Sequence, residues 1–90
     1  MDTITAESVP KLRLGVRLTF DHVRGVPVLL FPEGVLVPNS TATAVLELCD
    51  GTAPVSGIVT ALRSRYQGVQ ESEVLAVLTR FGQRRVIEWT

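Results

Sequence analysis

The sole histidine of this 90-residue chain, His22, directly follows Asp21. A His-Asp pair can do acid-base chemistry when it faces a nucleophile. Residues 21–25 have turn-forming composition, however, and no other side chains complete a catalytic set around the pair. We therefore expect an exposed turn pair and no catalysis at His22.

Cys49 is the second residue type that could act as a nucleophile, provided that its thiolate were stabilised. It lies at the end of a predicted helix among apolar neighbours, and both conditions raise the pKa of a thiol. We expect a buried thiol that serves packing. A single cysteine and a single histidine also provide neither an intramolecular disulfide nor a zinc ligand set, and we expect no metal and no cofactor.

A basic cluster near the C-terminus, Arg80, Arg84 and Arg85, could bind phosphate or an acidic partner. Acidic residues precede it on the same predicted helix, which favours an ordinary solvated surface. Nine basic and nine acidic side chains cancel, so the chain lacks the positive field that gathers nucleic acid. The seven glycines do not have the spacing of a phosphate-binding loop.

Alternating and apolar runs predict three strands in the first half of the chain. The first has apolar residues at every second position, from Leu14 through Val16 and Leu18 to Phe20. The second is the run 26–31, and the turn Phe31-Pro32-Glu33-Gly34 connects it to a third, Val35-Leu36-Val37, which ends at Pro38. These strands predict a three-stranded antiparallel meander.

Helical signals follow the meander. Asn39 and Ser40 are good capping residues for a first helix that spans about Thr41 to Cys49. Pro54 suits the start of a second helix, and a third is predicted from Glu71 to Phe81. The predicted fold is therefore α+β, a three-stranded antiparallel β-meander followed by three helices, and it is winged-helix-like. We expect a single domain over residues 1–90, with 1–11 as a flexible arm.

Composition and the N-terminus predict the compartment. Hydrophobic residues make up 46% of the chain and charged residues 20%, which supports a packed core rather than disorder. The N-terminus lacks the features of a signal peptide, and no apolar stretch approaches the roughly 18 residues that cross a bilayer. We expect a cytoplasmic protein without a membrane partner.

The predicted third strand lies at a sheet edge next to an apolar helix. Such an edge has unpaired backbone groups that an extended peptide can occupy by strand addition. The pattern is equally consistent with an edge that the protein caps itself.

Three blocks of the sequence resemble the PqqD family of pyrroloquinoline quinone (PQQ) biosynthesis, over about Pro10 to Phe81. The blocks are Pro10-Lys11-Leu12 with Arg17-Leu18, Asp21 and Arg24; the run from Val28 to the Pro32-Glu33-Gly34 turn; and the run from Asn39 to Gly51 with Ile58-Val59, Leu62 and Tyr66 beyond it. Ala53-Pro54 departs from the family, which has a basic residue and a hydroxyl-bearing cap there. Pro38 and Gln67 are also atypical.

The resemblance implies a non-catalytic peptide chaperone, a recognition element for ribosomally made, modified peptides (RiPPs). Such a domain binds the precursor peptide PqqA and presents it to the radical SAM enzyme PqqE, which crosslinks a Glu and a Tyr of that peptide. The peptide is expected to pair with the third strand and to rest against the third helix.

The implied peptide site falls on two segments. We expect backbone pairing at Val35, Leu36 and Val37, and contacts to acidic leader residues at Arg80 or Arg84. The apolar wall would come from Val74, Leu75, Val77, Leu78 and Phe81. A helix turns only one stripe toward a groove, so about half of these residues should contact the peptide.

Three alternatives remain from the sequence. A winged-helix nucleic-acid-binding domain would need a basic recognition helix, and the second helix has only Arg63 and Arg65 nearby. A recognition element of another peptide-modification pathway is compatible with the atypical positions. A small enzyme lacks a catalytic set. The chain could be a monomer or a homodimer, the latter by exchange of an arm.

Overall fold

Residues 3–90 are described by the computed structural model, and they form five strands and three helices. The elements are β1 (Pro10–Leu12), β2 (Arg17–Asp21), β3 (Val26–Phe31), β4 (Gly34–Leu36), α1 (Ser40–Glu47), α2 (Val55–Arg63), α3 (Glu71–Gln83) and β5 (Ile87–Trp89). The predicted α+β class and the order of a meander followed by three helices are confirmed.

Strands β2, β3 and β4 form an antiparallel sheet with β3 in the centre. The pairing register brings Leu18, Leu29 and Leu36 into one row across the three strands. Leu29 is fully buried, and the other two side chains pack against the core. Because strand side chains alternate between faces, this row defines the inner face of the sheet. The predicted three-stranded meander is therefore confirmed, in the register that buries its apolar row.

The first strand of the meander begins later than the period-two pattern predicts. β2 starts at Arg17, and Leu14 lies in a turn with its side chain completely exposed. The adjacent Gly15 has a φ of +86°, a conformation that side-chain-bearing residues rarely adopt. This turn breaks the strand before Val16, which is buried in the core. The prediction was wrong for Leu14 because the turn overrides the alternation.

The N-terminal segment packs on the body, so the prediction of a flexible arm is wrong for residues 3–11. Ile4 is buried in the core. The carbonyls of Ala6 and Ser8 accept hydrogen bonds of 3.0 and 2.9 Å from the N–H groups of Ser56 and Val55. The first amides of a helix have no partner within the helix, so the segment caps α2. Met1 and Asp2, the rest of the predicted arm, lie outside the described residues.

Strand β1 pairs with β5 in a separate antiparallel ribbon, in which Pro10 lies opposite Trp89. The C-terminal segment folds back on the body as β5, with Val86 and Ile87 fully buried. The ribbon therefore attaches both ends of the described chain to the helical layer.

The helices follow the predicted capping signals closely. Asn39 is the N-cap of α1, where its Oδ1 accepts a 2.8 Å hydrogen bond from the amide of Ala42. α2 follows Pro54, and α3 extends two residues beyond the predicted end, to Gln83. The inner stripes of all three helices meet β3 and β5 in one core, whose fully buried members include Leu29, Val45, Leu78 and Ile87.

Candidate functional site

β4 has a free edge. It is the outer strand of its sheet, and no strand of residues 3–90 pairs with the side that faces away from β3. Backbone hydrogen bonds alternate along an antiparallel ladder. Phe31 pairs with Gly34 across the tight turn, and Leu29 pairs with Leu36. We infer that these two pairs are the hydrogen-bonded ones. Val35 lies between them, so its N–H and C=O point away from β3, where an added strand can bind them.

The side chains at this edge differ in exposure. Val35 and Val37 are both 54% exposed, whereas Leu36 is half-buried against the core. Val37 follows the last residue of β4, so it extends the edge toward α1. Of the three residues predicted to pair with peptide, Val35 and Val37 have free surface, and Leu36 faces inward.

The predicted apolar wall of α3 divides between core and surface. Val74, Val77 and Leu78 are buried in the core, and Leu75 and Phe81 are half-buried against it. Leu75 and Phe81 therefore offer the larger surface to a ligand. Val77 and Leu78 hold α3 in place from the core, and Val74 also lines a cleft at the start of the helix.

Two sides of α3 have different surroundings. Val77, Phe81 and Arg84 follow one another at helical spacing and share one side, together with the exposed Arg80. Thr79 and Gly82 lie on the other side, where they line a depression with Trp89. Leu75 falls between Gly82 and Thr79 on a helical wheel, so it belongs to the side near Trp89. The predicted site residues on this side are therefore Val74, Val77, Arg80, Phe81 and Arg84, of which Val74 and Val77 are buried.

Sequence reasoning missed a cleft of about 270 Å³ at the junction of the three helices. The start of α1, the end of α2, the α2–α3 loop and the start of α3 line it, and we call it the α1–α3 cleft. In the sequence, Tyr66 stands out only as part of the family pattern. The position of the loop depends on tertiary packing, which no local pattern reports.

The two candidate catalytic residues have structural roles. Asp21 Oδ1 accepts hydrogen bonds from the amides of Val23 (2.9 Å) and Arg24 (3.2 Å), so the carboxylate shapes the β2–β3 turn. The exposed His22 packs edge-on against Phe20, with ring centroids 5.1 Å apart. His22 is therefore exposed in the turn as predicted, whereas Asp21 is the half-buried last residue of β2.

Cys49 is buried, as predicted, and its thiol donates to the carbonyl of Val45. Burial, with a smaller contribution from the neighbouring Asp50 charge, raises the pKa of the thiol to about 12. A thiol with this pKa stays protonated near neutral pH and is a poor nucleophile.

Within residues 3–90, no three His, Cys, Asp or Glu side chains come together as a possible metal site. None of the helices in this range is long and apolar enough to span a membrane. Arg63, a candidate nucleic-acid contact, donates from Nε to the carbonyl of Val69 at 3.2 Å, so it also secures the α2–α3 loop.

Comparisons with known proteins agree on one family. The family described as "Coenzyme PQQ synthesis protein D (PqqD)" matches residues 28–87. The "PqqA binding protein" of Pseudomonas aeruginosa is 40% identical over 80 residues, which cover 87% of each chain. The "Bifunctional coenzyme PQQ synthesis protein C/D" of Methylorubrum extorquens is 40% identical over 87 residues, which cover 93% of this chain and 23% of that protein.

A solved structure matches the fold. It is the solution NMR structure of the PqqD truncation of Methylobacterium extorquens PqqCD, described as a functional and stand-alone RiPP recognition element. The TM-score is 0.78 at 40% identity, and the match covers 94% of each chain.

Proposed function

This chain belongs to the PqqD family, and from that premise we propose that it binds the precursor peptide PqqA in PQQ biosynthesis. The proposal is supported by relatives that are named for PqqA binding and by a structural neighbour described as a peptide recognition element. The family consists of recognition elements rather than enzymes, which agrees with the predicted lack of catalysis.

One observation carries the mechanism, the free edge of β4. An extended peptide can add to this edge as a fourth strand and bond to the outward N–H and C=O of Val35. Backbone bonds provide affinity with little sequence preference. The exposed Val35 and Val37 side chains then contact alternate side chains of the peptide.

We assign specificity to the surface of α3. Phe81 is half-buried and leaves an apolar surface for the peptide, while Arg80 and Arg84 are exposed on the same side of the helix. Neither arginine forms an ion pair with any residue of 3–90, so both guanidinium groups remain available for acidic residues of the peptide. Val74, Val77 and Leu78 support this surface from the core.

We also propose that the domain presents bound PqqA to the radical SAM enzyme PqqE. A peptide bound as an added strand is held in one extended conformation. The peptide therefore loses less conformational entropy when the enzyme binds it. The relative from Methylorubrum extorquens is a longer, bifunctional chain. This arrangement is consistent with a PqqD-type domain that acts next to an enzyme. We place the protein in the cytoplasm, where its single buried thiol would remain reduced.

The proposed function is tested by calorimetric titration with synthetic PqqA from the same genome. Val35→Pro removes the outward amide at an edge position where proline is tolerated, and it should weaken binding about tenfold. Val35→Thr keeps both the amide and the branched shape, so it should lose far less binding than Val35→Pro. Thermal unfolding of both variants checks that the fold is intact.

Amide hydrogen exchange provides a second measurement that needs no variant. Addition of PqqA should slow exchange at Val35, because a bound strand covers its N–H. Saturable binding without any protection at Val35 would show that the peptide binds elsewhere. No binding of PqqA at all, with or without PqqE, would remove the proposed function.

A further inference from the structure

The α1–α3 cleft lies next to the end of the proposed peptide strand. Ser40 and Thr41 line the cleft, and only residues 37–39 separate them from the end of β4. Four Cα–Cα steps of at most about 3.8 Å connect Leu36 to Ser40, so the two are within roughly 15 Å. An extended peptide covers this distance in about five residues. A peptide added to β4 therefore reaches the cleft with its next few residues.

The cleft is apolar at its base and has one charged residue among those that line it. Val45, Leu62 and Val74 form the buried base. Tyr66 and Glu73 line it from more exposed positions, and Glu73 is its single charge. No basic side chain within residues 3–90 forms an ion pair with Glu73. The site thus combines an apolar base with an unneutralised carboxylate.

The volume of the cleft indicates the size of its ligand. Clefts that hold drug-sized ligands or cofactors have volumes of about 300–1,000 Å³. At about 270 Å³ this cleft is smaller, and it suits one large side chain rather than a free cofactor. The single carboxylate favours a cation over an anion beside that side chain.

We propose that the α1–α3 cleft binds one large apolar side chain of the precursor peptide, about five residues beyond the segment that pairs with β4. Glu73 binds a basic residue next to that side chain. This inference rests on the proposed function and adds a second anchor to it. A peptide with two anchors at a set spacing is selected by sequence and length as well as by strand addition.

The part of the proposal that concerns the apolar side chain is tested by a substitution that fills the cleft. Thr41→Trp places a large side chain at its exposed rim and should weaken PqqA binding about tenfold or more, the value of one buried large side chain. Ser72→Trp, also on an exposed helical position but away from the cleft, is the control and should bind like wild type. An alanine scan of the peptide should identify one apolar residue whose replacement weakens binding to wild type but not to Thr41→Trp.

The part of the proposal that concerns Glu73 has a closely matched control on the same helical turn. Glu73→Gln and Glu71→Gln each remove one acid from the first turn of α3, but only Glu73 lines the cleft. Glu73→Gln should weaken binding two- to fivefold at about 0.05 M salt and have no effect near 1 M. Equal binding by the two variants at low salt would overturn the role of Glu73.

Failure of this inference is distinguishable from failure of the proposed function. If wild type binds PqqA and Val35→Pro loses binding, yet folded Thr41→Trp binds like wild type, the cleft is not a peptide anchor. If Thr41→Trp does not fold, amide chemical shifts of Tyr66 and Val69 in wild type decide, because they must move on addition of PqqA. If wild type does not bind, both proposals fail.

Discussion

The Trp89 indole lies so close to Gly82 that a Cβ built on Gly82 would come within 2.5 Å of Trp89 Cζ3. Only glycine permits this contact between the last turn of α3 and β5. The contact packs β5 against the last turn of α3, and β5 pairs with β1. The absence of a side chain at Gly82 therefore allows α3 to pack directly against the β1–β5 ribbon, which holds both ends of the described chain.

Gly82→Ala should destabilise the domain despite alanine's better helix propensity. The new methyl group overlaps the Trp89 ring, and overpacking of this kind costs about 1–3 kcal/mol, more than the roughly 1 kcal/mol that alanine gains in a helix. Urea denaturation of the variant measures the free energy of unfolding. The combined variant with Trp89→Leu should recover part of the loss.

A second helical glycine provides the control. A Cβ at Gly57 would lie 3.5 Å from Ala53 Cβ and Pro54 Cδ, ordinary van der Waals distances. Gly57→Ala should therefore stabilise the domain by about 0.5–1 kcal/mol. A Gly82→Ala variant as stable as Gly57→Ala would contradict the packing of Trp89 described above.

Ile4→Ala should also destabilise the domain, because the N-terminal segment belongs to the core. Ile4 is 5% exposed, and truncation of a buried isoleucine costs about 2–5 kcal/mol. Glu7→Ala, an exposed position in the same segment, should have little effect. A truly flexible arm would make both substitutions neutral in urea denaturation, which is the result that would restore the sequence-based prediction.

The pKa of Cys49 predicts a loss of stability at high pH. Its ordinary value is 9.0 and its folded value about 12, so above pH 9 the unfolded chain releases the proton first. The contribution is complete below pH 9 and declines as pH rises toward 12, by at most about 1.4 kcal/mol per pH unit. Urea denaturation from pH 8 to 10.5 measures the slope.

Cys49→Ala separates this slope from the titration of other groups. The variant loses packing at all pH values, yet its stability should fall less steeply than that of wild type above pH 9. In addition, the native thiol should react with iodoacetamide far more slowly than the unfolded one, because it is buried and protonated. Parallel pH slopes for the two proteins would show that Cys49 does not titrate in this range.

Local signals in the sequence were sufficient to predict most of the fold. The period-two run, the Pro32-Glu33-Gly34 turn and the cap at Asn39 each act within a few residues, and the structure has a strand, a turn and a helix there. The β1–β5 ribbon was not predictable in this way, since Pro10 and Trp89 are at opposite ends of the chain. Its pairing depends on the folded body between them.

The site was only partly predictable for the same reason. The sequence indicates that α3 has a broad apolar face, but burial of Val74, Val77 and Leu78 depends on α1, α2 and β5. Which residues remain at the surface is therefore a tertiary property. The α1–α3 cleft is a stronger case, because residues 40–45 and residues 62–74 form it together.

Arg84→Gln should weaken PqqA binding through loss of charge alone. Arg84 is exposed at the end of α3, so the fold should not depend on its guanidinium group. An ion pair at such a site is worth about 0.2–1 kcal/mol, which corresponds to a dissociation constant up to about fivefold higher at low salt. Calorimetric titration at about 0.05 M and 1 M salt should show the difference only at the lower concentration.

Arg65→Gln is the matched control, since it removes the same charge from an exposed position just after α2. Net charge changes identically in both variants, so a general loss of attraction for an acidic peptide would weaken both to the same extent. A loss confined to Arg84→Gln instead locates the acidic residues of the peptide beside the end of α3.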